Sequence, residues 1–248
     1  MLTRFRLLAS WACLALTTVC AAAPTTIHVT ADLDITQLRA GVWMHTSWNT
    51  YENTRVPSNG LLVREGEGLV LVDTAWGVQP TIDLLDWVER ELRRPITRAI
   101  VTHSHADRLG GGAALAARGI PFDGHPVTAT LAAKGNLPAP RSLESLALPG
   151  GHTTLGTVEV FFPGPGHTVD NITVWIPAEK ILVGGCAVKS VDSENLGYVA
   201  EADLGAWPAS IRRLQARYSG PDVFVIPGHG EPGDSSLLQH TLDLLERR

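Results

Sequence analysis

Residues 98–112 read RAIVTHSHADRLGGG, an apolar run that passes without a break into two histidines and an aspartate, and from these into glycines. A run of that kind is buried, so the fold must bring the end of a core strand to an opening where three polar side chains can be solvated or occupied. In extended chain, residues two apart point the same way, so His103, His105 and Asp107 can project from one side while the apolar run anchors them. Imidazole nitrogen and carboxylate oxygen are usual ligands of zinc. The glycines at 110–112 let backbone pass close to a metal before the next helix begins.

The same grammar recurs downstream. His167 follows FFPGPG, Cys186 follows ILVGG and His229 follows FVIPG, each at the end of an apolar strand with glycine beside it. The residues divide into His103, His105 and His167 for one zinc, and Asp107, Cys186 and His229 for a second. Three protein ligands per metal leave a position for water, which is the mark of a catalytic rather than a structural zinc site. His28, His45, His125, His152 and His240 lack the strand-end glycine context and read as structural or exposed.

Around these positions IHVT, GLLV, GLVLV, TVEVFF, NITVWI, KILVGG and DVFVI read as strands. QPTIDLLDWVERELRR, GGAALAARG, DLGAWPASIRRLQARY and SSLLQHTLDLLERR have helical spacing. LLVREGEGLVLVD and VWIPAEKILVGG read as hairpins. The chain is therefore mixed α/β. The Gly- and Pro-rich stretch 135–151 reads as a long connection between two halves, because candidate ligands fall on both sides of it.

At the start, Arg4 and Arg6 precede an apolar run from Leu7 to Val19, followed by Ala21, Ala22 and Ala23. That run is too short to span a bilayer comfortably and reads as a secretory signal peptide over 1–23, with one domain over 24–248. Its removal takes the formal charge from −5 to about −7, which argues against nucleic acid as a partner. It also leaves Cys186 as the one cysteine securely in the mature chain, so no internal disulfide framework is available. A lone thiol in an oxidising compartment is protected if it is buried or bound to a metal.

Taken in order, HSHADR, GPGHTVDN, GGCAVK and IPGHGEPG resemble the metallo-β-lactamases of subclass B1, and VPSNGLLVREG with VDTAWG is most similar to their VIM-type group. The resemblance runs from about residue 38 to the C-terminus. Glyoxalase II-like and lactonase-like relatives usually carry a histidine after the aspartate and an aspartate bridging the metals; Arg108 and Cys186 stand there instead. The resemblance implies an αββα sandwich of two mixed sheets flanked by helices, with two Zn2+ in a cleft along one edge. It further implies zinc-dependent hydrolysis of penicillins, cephalosporins and carbapenems, with monobactams poor, by a monomer in a bacterial periplasm.

Several roles follow from that resemblance alone. Asp107 orients the attacking water as well as binding metal, and Lys189 pairs with the substrate carboxylate. Arg108 and Asp73 are supports that hold ligands in place. WMHTSWNTYEN, at 43–53, lies where the family has a mobile hairpin over the site, so Trp48 or Tyr51 would cover apolar parts of a substrate. Tyr198 departs from the pattern, standing where many members have an asparagine that contacts the lactam carbonyl. Two rival readings remain: a superfamily hydrolase acting on a lactone, ester or thioester, and a secreted protein that binds zinc without catalysis.

Overall fold

A computed structural model describes residues 25–247, so the expected signal peptide lies outside the described residues. Fourteen strands form two sheets. The first holds β1 (Thr25–Thr30), β2 (Leu33–Arg39), β3 (Val42–Tyr51), β4 (Thr54–Glu65), β5 (Gly68–Val72), β6 (Ile96–Ile100), β7 (Phe122–Gly124) and β8 (Arg141–Ser142), in chain order. β9 (His152–Leu155), β10 (Val158–Phe161), β11 (Thr173–Ile176), β12 (Ile181–Gly185), β13 (Phe224–Pro227) and β14 (Gly233–Asp234) make the second, in the order β14-β13-β12-β11-β10-β9. Pairing is antiparallel except along β5 to β8 and between β12 and β13. The stretch 135–151 is indeed the passage from one sheet to the other.

Alternation along the strands builds the layers. In β5, Val70 and Val72 face the second sheet, meeting Val174, Val183 and Ile226, while Leu69 and Leu71 face outward. There they pack under α1 (Val78–Trp87) through Leu84, Leu85 and Trp87. In β12, Ile181 and Val183 point inward, while Leu182 points outward with Val225. These two meet Trp207, Ile211 and Leu214 of a helix over Trp207–Tyr218 and Leu238 and Leu242 of a helix over Ser236–Glu246. Helix, sheet, sheet and helix are thus stacked around three apolar layers, as the αββα expectation required.

The differences from the sequence reading have local causes. The helix expected over 79–94 closes in a wider π turn at Val88–Leu92 and stops at Arg93, in the left-handed region at φ 52°, ahead of Pro95. The helix expected from Asp203 starts at Trp207, because the Asp203 carboxylate first makes a turn by accepting from the amides of Gly205 and Ala206. α2 (Ala106–Leu109), α3 (Gly112–Ala117) and α4 (Pro126–Lys134) precede these; the C-terminal pair become α5 and α6. α4 was not foreseen. Among the described residues no helix is long and apolar enough to cross a membrane.

β3 and β4 are joined at Glu52 and Asn53, both with positive φ (47° and 63°), the backbone twist a tight hairpin needs. At its base the hairpin encloses His45, whose Nε2–H donates to the Asp73 carbonyl at 3.2 Å. The opposite position is Gly60, where a Cβ would stand 2.2 Å from His45 Nε2, so only glycine leaves room for the ring. Burial lowers the His45 pKa to about 4, against a partial upward pull from the Asp73 and Val72 backbone.

Below the ordinary value of 6.5 the unfolded chain takes up a proton that folded His45 refuses, so its contribution is present above that pH and is lost as pH falls toward 4. Urea unfolding at about pH 7 and about pH 5 should show a stability drop of which about 2 kcal/mol belongs to this residue. His45→Gln should lack that share; an unchanged drop in the variant would assign the acid sensitivity elsewhere.

Candidate metal centre

The proposed ligands lie past the C-terminal ends of core strands, along the edge where the two sheets meet: His103 and His105 after β6, with Asp107 on the α2 turn that follows, His167 in the loop after β10, Cys186 after β12 and His229 after β13, while the support Asp73 follows β5. Backbone hydrogen bonds fasten the sheets to each other there: Ile172 donates to Thr102 (2.8 Å) and Asn59 to Gly228 (2.9 Å). β6 ends at Ile100 and the chain bends through 102–105 before turning into α2, so His103, His105 and Asp107 are brought together by bends and a single helical turn and not by the strand alternation expected.

His103, His105 and His167 form a ring of imidazoles with centroids 4.6, 5.0 and 5.1 Å apart, and His167 Nε2 lies 3.3 Å from His105 Nδ1. His103 is fully buried and His167 nearly so. Burial holds both well below the ordinary histidine pKa, with neighbouring His105 pushing each the same way. Neutral imidazoles are what a metal needs. Neither nitrogen of His103 has a hydrogen-bond partner, nor has His167 Nδ1. A buried nitrogen left unpaired is costly, on the order of 1–3 kcal/mol, and a metal ion is the partner that this donor set fits.

Beside this ring Asp107, Cys186 and His229 close a triangle. Cys186 Sγ lies 3.4 Å from Asp107 Oδ2 and 3.2 Å from His229 Nε2, and the last two are 3.2 Å apart. His229 Nδ1 donates to the Pro57 carbonyl at 2.6 Å, which turns Nε2 toward the other two ligands. Burial opposes a charge on His229, but the neighbouring Cys186 and Asp107 outweigh it and raise the pKa to about 9. Ligand atoms also come within 4.8 Å of one another across the two sets, in His103/His105/Asp107 and His103/His167/Cys186, so the centre is continuous.

Arg108 underlies the whole cluster with no exposed surface. Its guanidinium donates to Gly228 O (2.6 Å), to Cys186 Sγ (3.2 Å) and to the Asn59 carbonyl. Nε sits 3.0 Å from Asp107 Oδ2, close enough for an ion pair although bent away from a hydrogen bond. Nη1 is 3.6 Å from Asp73 Oδ2. Asp73 in turn accepts from the Thr102 amide (2.6 Å) and hydroxyl (2.9 Å), just before His103. Burial would raise the Asp107 pKa, but Arg108 overrides it and holds the carboxyl well below its usual range; Asp73, where burial prevails over Arg108, rises to about 7.

Lys189 is buried beside the cluster, its Nζ 5.4 Å from the centre of the Trp207 ring, and burial lowers its pKa. Tyr198 is half exposed with its ring edge-on to His105 at 5.7 Å. Trp48 is engaged elsewhere: its Nε1 donates to Asp34 (3.3 Å) and the Arg55 guanidinium covers its ring at 4.8 Å. Two further aromatics stand beside the cluster, Trp207 at 5.9 Å from His167 and Trp76 at 6.1 Å from His229; sequence reasoning missed Trp76 although it lies in VDTAWG. Glu201, whose carboxylate is 2.6 Å from His105 Nε2, was also missed, being remote in sequence.

The description of the metallo-beta-lactamase superfamily matches residues 53–229. The chain belongs to this superfamily. A metallo-beta-lactamase type 2 from Bacillus sp. (strain 170) is 45% identical over 219 residues, covering 88% of this chain and 84% of that protein. Among solved structures, a metallo-beta-lactamase from Pontibacter korlensis is 44% identical with a TM-score of 0.81, over 87% of this chain and 100% of the other. The metallo-beta-lactamase FIM-1 from Pseudomonas aeruginosa, in a mono-zinc form, is 37% identical with a TM-score of 0.82, over 88% and 96%. A metal cofactor follows from membership of this superfamily.

Removing Arg108 leaves two buried acids and a thiol without their cation. Arg108→Ala should cost about 3–5 kcal/mol in denaturant unfolding. A loss under about 1 kcal/mol would show that the guanidinium is not holding the centre together.

Proposed function

We propose that the protein is an exported zinc-dependent β-lactamase that hydrolyses penicillins, cephalosporins and carbapenems and so confers antibiotic resistance. The observation that carries this reading is the pairing of a buried, partly unpartnered three-imidazole ring with an adjoining Asp107–Cys186–His229 triangle. It is supported by the names of relatives aligned over most of the chain. Within the superfamily the motif set favours subclass B1, nearest the VIM-type group, and Arg108 and Cys186 speak against the lactone- and thioester-hydrolysing rival. Export to the periplasm rests on the composition of residues 1–23, with residues 24–248 as one monomeric domain.

His103, His105 and His167 would hold one Zn2+, and Asp107, Cys186 and His229 a second. Zinc bound there supplies an activated water with a pKa of about 7 and polarises a carbonyl. The protein's own groups do the rest. Asp107, kept ionised by Arg108, is the hydrogen-bond acceptor that would orient the attacking water. Lys189 offers a cation to the substrate carboxylate, and its packing on Trp207 limits where that charge can stand. The Tyr198 hydroxyl lies on the rim as a donor toward the lactam carbonyl. Trp76 supplies an apolar wall beside His229, and Tyr51, half exposed on the hairpin, supplies another, while Trp48 serves the hairpin itself.

Carbapenem hydrolysis by the purified protein, followed by absorbance with and without a zinc chelator, tests the reading. Turnover abolished by chelator and restored by zinc is the expected result. No turnover of any β-lactam with zinc present, together with cleavage of a lactone or thioester, would transfer the protein to the rival reading; tight zinc binding with no turnover at all would make it a binding protein. Lys189→Ala should raise KM about tenfold with a smaller effect on kcat, since a charged hydrogen bond is worth roughly 1.5–3 kcal/mol. Tyr198→Asn kinetics across several lactams should change for at least one class; identical constants throughout would remove this residue from the mechanism.

A further inference from the structure

Segment 198–207 touches the three-histidine ring at several points. The Tyr198 ring lies against His105 at 5.7 Å and the Glu201 carboxylate contacts His105 Nε2 at 2.6 Å. The Asp203 amide donates to Gly166 O at 2.8 Å, next to His167, and the Trp207 ring stands 5.9 Å from that of His167. Glu201 is singular in this set because it alone reaches a ring nitrogen. Among the described residues, no hydrogen-bond partner holds either nitrogen of His103 or Nδ1 of His167.

We propose that Glu201 is a positioning residue for the three-histidine site, selecting the ring tautomer of His105 that can bind metal. This rests on the reading of that ring as a metal site. A neutral imidazole has one N–H and one lone pair. An acceptor at Nε2 places the proton there, which leaves the lone pair on Nδ1, the nitrogen that faces His167 Nε2 at 3.3 Å. The same contact fixes the ring plane and increases the donor strength of Nδ1, as a carboxylate behind a ligating histidine generally does. As a surface ion pair it would be worth little, since the Glu201 side chain is 59% exposed. Its value lies in the choice of tautomer. Because Glu201 is three residues from Tyr198, the loop that forms the substrate rim and the orientation of a metal ligand depend on one another.

The test is a cobalt(II) titration of the metal-free full chain, wild type against Glu201→Ala and Glu201→Gln. The near-ultraviolet thiolate-to-cobalt band reports Cys186, and visible ligand-field absorption reports cobalt at both sites, so the histidine site is followed as the visible absorption that does not titrate with the thiolate band. Glu201→Ala should weaken cobalt binding at the histidine site by about tenfold or more while the thiolate band titrates as in wild type, and Glu201→Gln, which keeps an acceptor oxygen, should recover most of that loss. Wild-type behaviour in Glu201→Ala would reduce the contact to a surface pair and overturn the proposal. So would an equal weakening of both bands, which would indicate loop collapse. A wild-type protein with the thiolate band but no histidine-site absorption would instead overturn the metal-site reading beneath it.

Discussion

The structure turns on one cation that water cannot reach. Arg108 joins Asp73, Asp107, Cys186, the Gly228 carbonyl and the Asn59 carbonyl, and these partners come from both sheets and from α2. A guanidinium suits this role better than an ammonium, since its planar fork sends donors to several partners in fixed directions. In a low-dielectric interior two carboxylates so close together would repel one another and drive protonation. With the guanidinium beside it, Asp107 stays ionised and remains a hydrogen-bond acceptor. The charge is therefore part of the packing at this edge, where both sheets contribute its partners.

The layer architecture explains why the ligands can be so far apart in sequence and so close in space. His103, Cys186 and His229 follow closely on strands whose alternating side chains are committed to an apolar layer, so burial several residues earlier fixes where they emerge, while Asp107 and His167 are carried there by a helical turn and a loop. The parallel pairs β5–β6 and β12–β13 bring four strand ends to the same edge, which is where crevices form in sheets of this kind. Irregular backbone is confined to the loops that follow, and there Gly228 is required, because a Cβ would stand 2.7 Å from Cys186 Sγ and from Arg108 Nη2.

The candidate ligands His167, Cys186 and His229 are announced locally, by an apolar run ending in glycine, and His103, His105 and Asp107 by their H-x-H-x-D spacing; the structure brings all six together. The layers were legible from the same apolar runs. Strands with polar interiors were harder to read: β3 and β4 bury His45, Ser47, Ser58 and Asn59, so their alternation carries no apolar signature at the cleft end. α4 was missed because Val127, Thr128 and Thr130 are poor helix formers and its cap is a histidine, His125, whose Nδ1 accepts from the Val127 amide. Glu201 carries no local signal, and Trp76, although it lies within VDTAWG, carries none of its own. Their significance is created by contacts with His105 and His229 that only the folded chain makes.

The two halves of the centre differ in how the protein meets their electrostatic demands. On the cysteine side every ligand already has protein partners: Arg108 for Asp107 and Cys186, Pro57 for His229. On the histidine side, among the described residues, neither nitrogen of His103 nor His167 Nδ1 has a hydrogen-bond partner, and Glu201 is the carboxylate that reaches a ring nitrogen, His105 Nε2. A folded chain tolerates such unpaired nitrogens only because the surrounding layers over-determine their positions. The first half is thus held by charge balance within the protein, and the second by shape, its imidazoles turned toward one point by strands and loops whose own packing lies elsewhere. Pre-organisation of this kind is what lets one fold offer an open metal site without first rearranging to build it.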